Sequence, residues 1–510
     1  MPNLLHPLRD ALRLRAVKDL WHQRAVSVVV AVGIVEGVLL ALGRLDLVLY
    51  AAGGGLCALY GHGLPYAARA RTLALVVLGM AAGGAVALTT AALTDATAVR
   101  VAVASALAAA HKVVCDATRI GPPGNVIFTF VAASAAFVPQ TPAQVPAHVG
   151  LMVLGGAVAW LVGMAPALVR PHGPERAAVV RALEARARVL ASDGTTARAR
   201  HEATAAVNAA WHTLRAAGPG AHRAGLERLL ARADATGPAG ARRLSAWARE
   251  LRTARALPED TGAAPVTEAP TGPLTAPFRG PSMRHLAPIG LRVGLGSAAA
   301  GWVSTALGVD RPYWAVVTAA AVLAANTTLS WQRALQRVLG NLLGVLLFTA
   351  LVPFTATGAG ALIVTALACN FAAEATIARN YWLASAFVTP MAMIMTEFAG
   401  LQPAGRLVAD RWLDTVVGAA AGLVVCFAVP NRRAGRRVGT ALDLLEDELA
   451  APLPREPRLT AALLELREAA DTASGEWWSG PLPEERITDA ERRGHLALAV
   501  RRGGRSVTAA

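Results

Sequence analysis

Two stretches of the chain place ionisable groups where transport chemistry could follow. His111-Lys-Val-Val-Cys-Asp116-Ala-Thr-Arg119 and Asn370-Phe-Ala-Ala-Glu374-Ala-Thr-Ile-Ala-Arg379 each set a carboxylate and then an arginine at the end of an apolar run. A guanidinium at that depth can bind an organic carboxylate, and a nearby carboxyl group can carry a proton. Arg119 and Arg379 are therefore candidate anion-attracting residues, with Asp116, Glu374 and Asn370 beside them and Lys112 as an added basic group. The competing reading of both stretches is topogenic charge with a local ion pair.

Glu36 stands inside the first apolar run, where a carboxylate in hydrocarbon is costly. It serves a proton relay, or it stays neutral and hydrogen-bonded to a neighbouring helix. Asp414, one turn past Asp410 and close behind Arg411, reads as half of an interfacial ion pair. Arg333, Arg337 and Asn341 share a helix face, which either draws an anion to an inner mouth or anchors the helix at a basic interface. Tyr313-Trp314 and Tyr381-Trp382 fit an aromatic belt at the membrane surface, or stacking on an aromatic substrate. Gly79, Gly83, Gly340 and Gly344 permit close helix contact.

Enzymatic alternatives find little support. There is no Gly-x-x-x-x-Gly-Lys-Ser/Thr loop and no Gly-x-Ser-x-Gly elbow, and His201-Glu202 lacks a second histidine at metalloprotease spacing. Cys57, Cys115, Cys369 and Cys426 stand singly in apolar segments, so neither a disulfide framework nor a metal site is expected, and no cofactor is implied.

The elements that must position these residues are membrane helices. Of 510 residues 54% are hydrophobic and 16% charged, against about 25% charged in soluble proteins. The net charge of +15 punctuates apolar runs and forms no aromatic-interleaved patch, so it fits the basic inner flanks of membrane helices and no nucleic acid partner. A bilayer crossing needs about 20 apolar residues. Crossings are expected near 25–42, 45–61, 72–93, 97–115, 125–139 and 147–169, then near 286–307, 312–326, 338–353, 358–374, 381–397 and 408–430, with a basic turn at Trp331 to Arg337.

The expected fold class is an all-α polytopic membrane protein of two parallel six-helix repeats with cytoplasmic helical domains. Its parts are an N-terminal segment (1–24), a first membrane half (25–170), a helical domain (171–257), a Pro/Gly-rich linker (258–285), a second membrane half (286–430) and a helical tail (431–510) whose last residues, 503–510, fray. Flanking arginines put both termini in the cytoplasm of a multi-pass cell-membrane protein, with Arg406 and Arg411 as exceptions. Ala41-Leu-Gly43 matches Ala306-Leu-Gly308, and at the same offset Leu78-Gly79 falls on Leu343-Gly344. Ser105 to Ala108 matches Thr365 to Ala368, and Arg119 meets Arg379, at a slightly shorter offset. Gly121-Pro-Pro-Gly124 and Pro139 fence the fifth segment, and Pro390 interrupts its counterpart, as transport sites often require.

Arg311-Pro-Tyr-Trp-Ala, the crossing after it, Arg333, Arg337 and Gly340-Asn-Leu-Leu-Gly344 together resemble the signature of the fusaric acid resistance-like family, within the aromatic acid exporter superfamily. Asn341 stands where that signature usually has Thr, and the first half has Leu45-Asp-Leu-Val in place of Arg-Pro-Tyr-Trp. The resemblance implies a bacterial cytoplasmic-membrane exporter of small, often aromatic, organic acids driven by the proton gradient. The superfamily also looks related to plant malate-type anion channels, which by analogy would place Arg119 and Arg379 opposite each other near the inner mouth of a shared path. Two other functions stay open at this point. They are a passive organic-anion channel and a membrane-anchored scaffold whose helical domain holds an envelope or regulatory partner.

Overall fold

The computed structural model describes residues 11–14, 21–191, 197–235, 240–254, 256–258, 283–397, 404–431, 433–451, 456–477 and 480–507. Most of the expected linker, residues 259–282, lies outside them. The described residues form helices and no strand.

The first helix, α1 (Trp21–Ala41), shows why the chain needs a membrane. Val26, Val30, Ile34 and Val38 form an exposed stripe at one-turn spacing, while Ala25, Val28, Val32, Val35 and Leu39 face inward. Water would penalise that outer stripe, whereas lipid solvates it. Next come α2 (Val48–Gly55), held between 3-10 segments Leu45–Leu47 and Leu56–Leu59, and α3 (Tyr66–Leu93). This run of apolar helices closes with α4 (Thr97–Thr118), α5 (Asn125–Ala135) and α6 (Val145–Met164).

Four polar helices follow, α7 (Gly173–Ala191), α8 (Ala197–Ala216), α9 (Ala221–Ala235) and α10 (Ala241–Thr253). The second apolar run is α11 (Met283–Ala306), α12 (Tyr313–Val322), α13 (Thr327–Thr355), α14 (Ala359–Ile377), α15 (Tyr381–Glu397) and α16 (Ala404–Ala428). After it come α17 (Arg433–Ala450), α18 (Glu456–Ser474) and α19 (Glu484–Val507). The expected fraying from residue 503 is not seen as far as Val507, where α19 ends.

Eight of the apolar helices are long enough to cross a bilayer, and four apolar segments are shorter. The short ones, Leu45–Leu59, Asn125–Ala135, Tyr313–Val322 and Tyr381–Met395, are second and fifth in each run. At 1.5 Å per residue α12, with 10 residues, reaches about 15 Å, half the hydrocarbon thickness. Of the twelve expected crossings, the second and fifth of each run are therefore shorter than a full span.

Local chemistry sets these lengths. Asn326 caps α13 by accepting from the Leu329 amide at 2.9 Å, so the helix starts at Thr327. The expected basic turn at Trp331 to Arg337 is thus helical and belongs to α13. Pro390 does not interrupt its segment, because α15 runs through it.

The contacts divide the chain into two compact units. In the apolar unit, residues 1–62, 71–165 and 278–431, α1 lies against α14 and α11 lies against α4. Trp302 of α11 donates its indole N–H to the Ala98 carbonyl at 3.1 Å. The polar unit comprises residues 63–70, 166–277 and 432–510. Leu183, Trp211, Leu214, Leu230, Leu244 and Trp247 make one of its cores, and Val438, Leu442, Leu445, Leu463, Leu466 and Leu498 make another. Arg437 reaches from α17 to Glu465 at 2.8 Å and Glu468 at 3.1 Å on α18.

Candidate functional site

The Gly340-Asn-Leu-Leu-Gly344 stretch brings three helices together. A Cβ at Gly340 would collide with the Trp382 carbonyl and Ser385, and one at Gly344 with Ala386 and Thr389. The missing side chains let α13 and α15 touch along parallel paths. Asn341, held between them, accepts from Thr389 Oγ1 at 2.6 Å and donates through Nδ2 to Thr415 Oγ1 of α16 at 2.7 Å. One amide thus ties α13, α15 and α16 at a single level.

An arginine lies one turn away on each of two of these helices. α13 and α16 run antiparallel, with Thr327 near Cys426 and Asn341 on Thr415, so Arg337 and Arg411 sit on opposite sides of the Asn341 layer. Arg337, 4% exposed, donates through Nη1 to the Tyr381 hydroxyl at 3.3 Å and leaves Nε without a partner. Arg411, 1% exposed, has no hydrogen bond to any of its three guanidinium nitrogens. Its charge rests on the Trp314 ring, 4.0 Å from the centre. Arg337, Asp414, Tyr313 and Tyr381 are within its electrostatic reach.

A buried guanidinium with all its donors idle costs several kcal/mol unless a partner arrives. The arrangement suits an anion with a carboxylate to fill the donors and a flat body to share the aromatic faces. Asp414 does not supply that partner. It is wholly buried, accepts from Ser304 Oγ and keeps Oδ2 without a partner, and no ion pair joins it to Arg411. The expected interfacial pair is therefore absent, because both groups point inward on α16 to different neighbours.

The residues that the sequence singles out fall in several places. Tyr313 and Trp314 are fully buried, with ring centres 4.9 Å apart, so they belong to the interior and not to an interfacial belt. Tyr381 joins Arg337, and Arg333 lies over its ring at 6.0 Å. Trp382 is half-buried. Arg119 is exposed and caps α4 in a left-handed conformation with φ of 50°. Arg379 is exposed just after α14. Asp116 is paired with Lys112 at 2.9 Å. Glu374 is half-buried within reach of Arg24, and Asn370 is buried. Glu36 is fully enclosed, with no partner for either oxygen.

The structure thus joins Arg337 to Tyr381 and Arg411 to Trp314, and it adds Thr389 and Thr415, which sequence reasoning missed, and an interior role for Arg411. A signal for Arg411 was present. It is one of the two exceptions to the charge bias, and an arginine out of place in an apolar helix needs an interior use.

Residues 298–425 match the fusaric acid resistance protein-like family, which bears out the resemblance over that span. The matched span holds every residue of the polar column from Ser304 to Thr415. The chain is also similar to the Uncharacterized membrane protein YvaC of Bacillus subtilis, with 27% identity over 534 positions, covering 92% of this chain and 83% of that protein. No solved structure matches the chain. It is a membrane protein with several helices able to cross a bilayer.

Proposed function

We propose that this chain, which carries a fusaric acid resistance protein-like region over 298–425, is a bacterial cell-membrane transporter that exports a small organic anion. The observation that carries the reading is Arg411, buried with every donor idle one helical turn from Thr415, which Asn341 engages. An anion moving along this column passes from one arginine to the other, and the hydrogen-bonded Asn341, Thr389 and Thr415 form the neutral step between them. Trp314 and Tyr381 flank the two arginines, which favours substrates with a ring.

In this reading the two apolar runs are parallel repeats around a shared axis. Both termini and the polar unit lie in the cytoplasm. Support comes from the shared order of long and short helices and from the reciprocal packing of α1 on α14 and α11 on α4. Arg119 and Arg379, exposed at helix ends, draw anions toward the mouth, with Lys112 and Arg333 adding to the field. Glu36 is the foremost proton carrier, because its enclosed oxygens lack partners; Glu374 and Asp116 are further carriers.

Efflux of radiolabelled benzoate from proteoliposomes tests the site. Arg411→Gln and Arg337→Gln should each cut the rate at least tenfold while the protein stays monodisperse. Unchanged efflux in both would remove the column as the path. Efflux that is unaffected by collapse of an imposed pH gradient would favour a passive channel, and binding of a cytoplasmic protein without any flux would favour a scaffold.

A further inference from the structure

The first apolar run holds a counterpart of the Arg411 site. A Cβ at Gly155 of α6 would collide with the Ala51 carbonyl of α2, as one at Gly418 of α16 would with the Ala315 carbonyl of α12. These two contacts put the helix pairs in register. His148 precedes Gly155 by the same interval that separates Arg411 from Gly418. Tyr50 precedes Ala51 as Trp314 precedes Ala315. In the first run His148 lies flat on Tyr50, with ring centres 3.9 Å apart and planes 7° apart. Where one half stacks a guanidinium on an indole, the other stacks an imidazole on a phenol.

The tautomer of His148 follows from Gln140. The Gln140 amide nitrogen donates to the Tyr50 hydroxyl, which leaves its Oε1 to accept from His148 Nδ1 at 2.8 Å. The His148 lone pair is then on Nε2. A proton taken from water at Nε2 makes an imidazolium over an aromatic face, the same kind of cation as Arg411 on Trp314.

We propose that His148, Tyr50 and Gln140 form a second carboxylate site that exists only when His148 carries a proton. The carboxylate accepts the new Nε2–H bond and balances its charge, and loss of that proton to water releases the anion. The proposal rests on the transport reading above and adds to it where the proton and the second anion meet. One half then holds an anion at any pH, and the other holds one only after His148 has taken up a proton.

Other charges around His148 leave the switch to this ring. Asp46 and Arg44, just ahead of α2, are within its electrostatic reach and are paired with each other at 3.0 Å. α1, which also packs on α6, carries His22, Arg24 and Glu36. The 3-10 segment Leu56–Leu59 adds Cys57. α3 meets α6 at Met152, Gly156 and Gly163 and carries its ionisable side chains beyond the last of these, away from His148.

Equilibrium binding of radiolabelled benzoate to the full-length protein in detergent, near pH 5.5 and pH 8, tests this. The wild type should bind two equivalents at the lower pH and one at the higher. His148→Gln should bind one at both, and His148→Arg two at both. Tyr50→Leu should weaken only the acid-dependent site, by about tenfold, as expected for losing a desolvated cation–π partner. A second equivalent that survives His148→Gln at pH 5.5, or a wild type with no acid-dependent site, overturns the proposal. Arg411→Gln reports separately, because it should remove the pH-independent equivalent, and failure there strikes the transport reading and leaves the histidine site standing.

Discussion

The guanidinium of Arg411 lies 4.0 Å from the ring centre of Trp314, and none of its three nitrogens has a hydrogen-bond partner. Cation and indole hold each other in the interior of the second apolar run, so each should depend on the other.

Trp314→Leu should cost about 3 kcal/mol, because it removes both the face under the charge and a large buried volume. Trp314→Phe keeps a face and should cost about half as much. Thermal unfolding of the purified full-length protein reads both, and equal losses in the two would mean that the ring only fills space.

Asn341→Leu separates stability from transport. Thr389 and Thr415 keep backbone acceptors at Ser385 and Arg411, 2.9 Å and 2.7 Å away, so the cost should stay near 1–2 kcal/mol. Benzoate efflux should nevertheless fall to background, since the polar step in the column is gone. Asn341→Thr, the residue usual in the family signature, should retain measurable efflux.

Gly344→Leu is expected to be severe. A side chain there must push Thr389 and the Ala386 carbonyl away, which should cost 3 kcal/mol or more by the usual scale of overpacking, about 1–3 kcal/mol for smaller insertions. Gly360→Ala, where a Cβ meets nothing within 4 Å, is the control and should leave the unfolding midpoint within about 0.5 kcal/mol of the wild type.

Arg119 and Arg379 are exposed, so their loss should act through long-range attraction. Replacing both by Gln should slow efflux at low ionic strength and have little effect at about 0.5 M salt, where screening lengths fall well below 10 Å. A salt-independent loss would mean direct contact with the substrate.

His222 gives the polar unit a pH dependence. It stacks on His172 with ring centres 4.1 Å apart. Burial, and then the charges of His172 and Arg176, hold its imidazole below the ordinary histidine value. The folded state therefore binds fewer protons than the unfolded state below about pH 6.5, and stability is lost as pH falls through the unfolded value toward the folded one. The unfolding midpoint of the wild type should drop more between pH 7.5 and 5.5 than that of His222→Phe. Equal drops would assign the acid sensitivity to other groups.

Much of this protein was legible in the sequence. Apolar runs, flanking arginines and the Gly340 to Gly344 spacing were enough to read a helical membrane protein and a family resemblance that the match over 298–425 bears out, because hydrocarbon allows few backbone solutions and penalises each departure from them. The glycines were legible too, since a missing side chain at one-turn spacing marks a helix face that can approach another closely. The lengths of α2, α5, α12 and α15 were harder to read, as apolarity reports burial in lipid and in protein alike. What only the tertiary structure decided was the meeting of side chains from different helices. Arg411 with Trp314, Asn341 with Thr389 and Thr415, and His148 with Tyr50 are each far apart in sequence. The exception to the charge bias marked Arg411, but its spacing to Asp414 fits an interfacial ion pair as well as an idle buried guanidinium; the difference is that Asp414 turns to Ser304 and leaves the arginine against an aromatic ring.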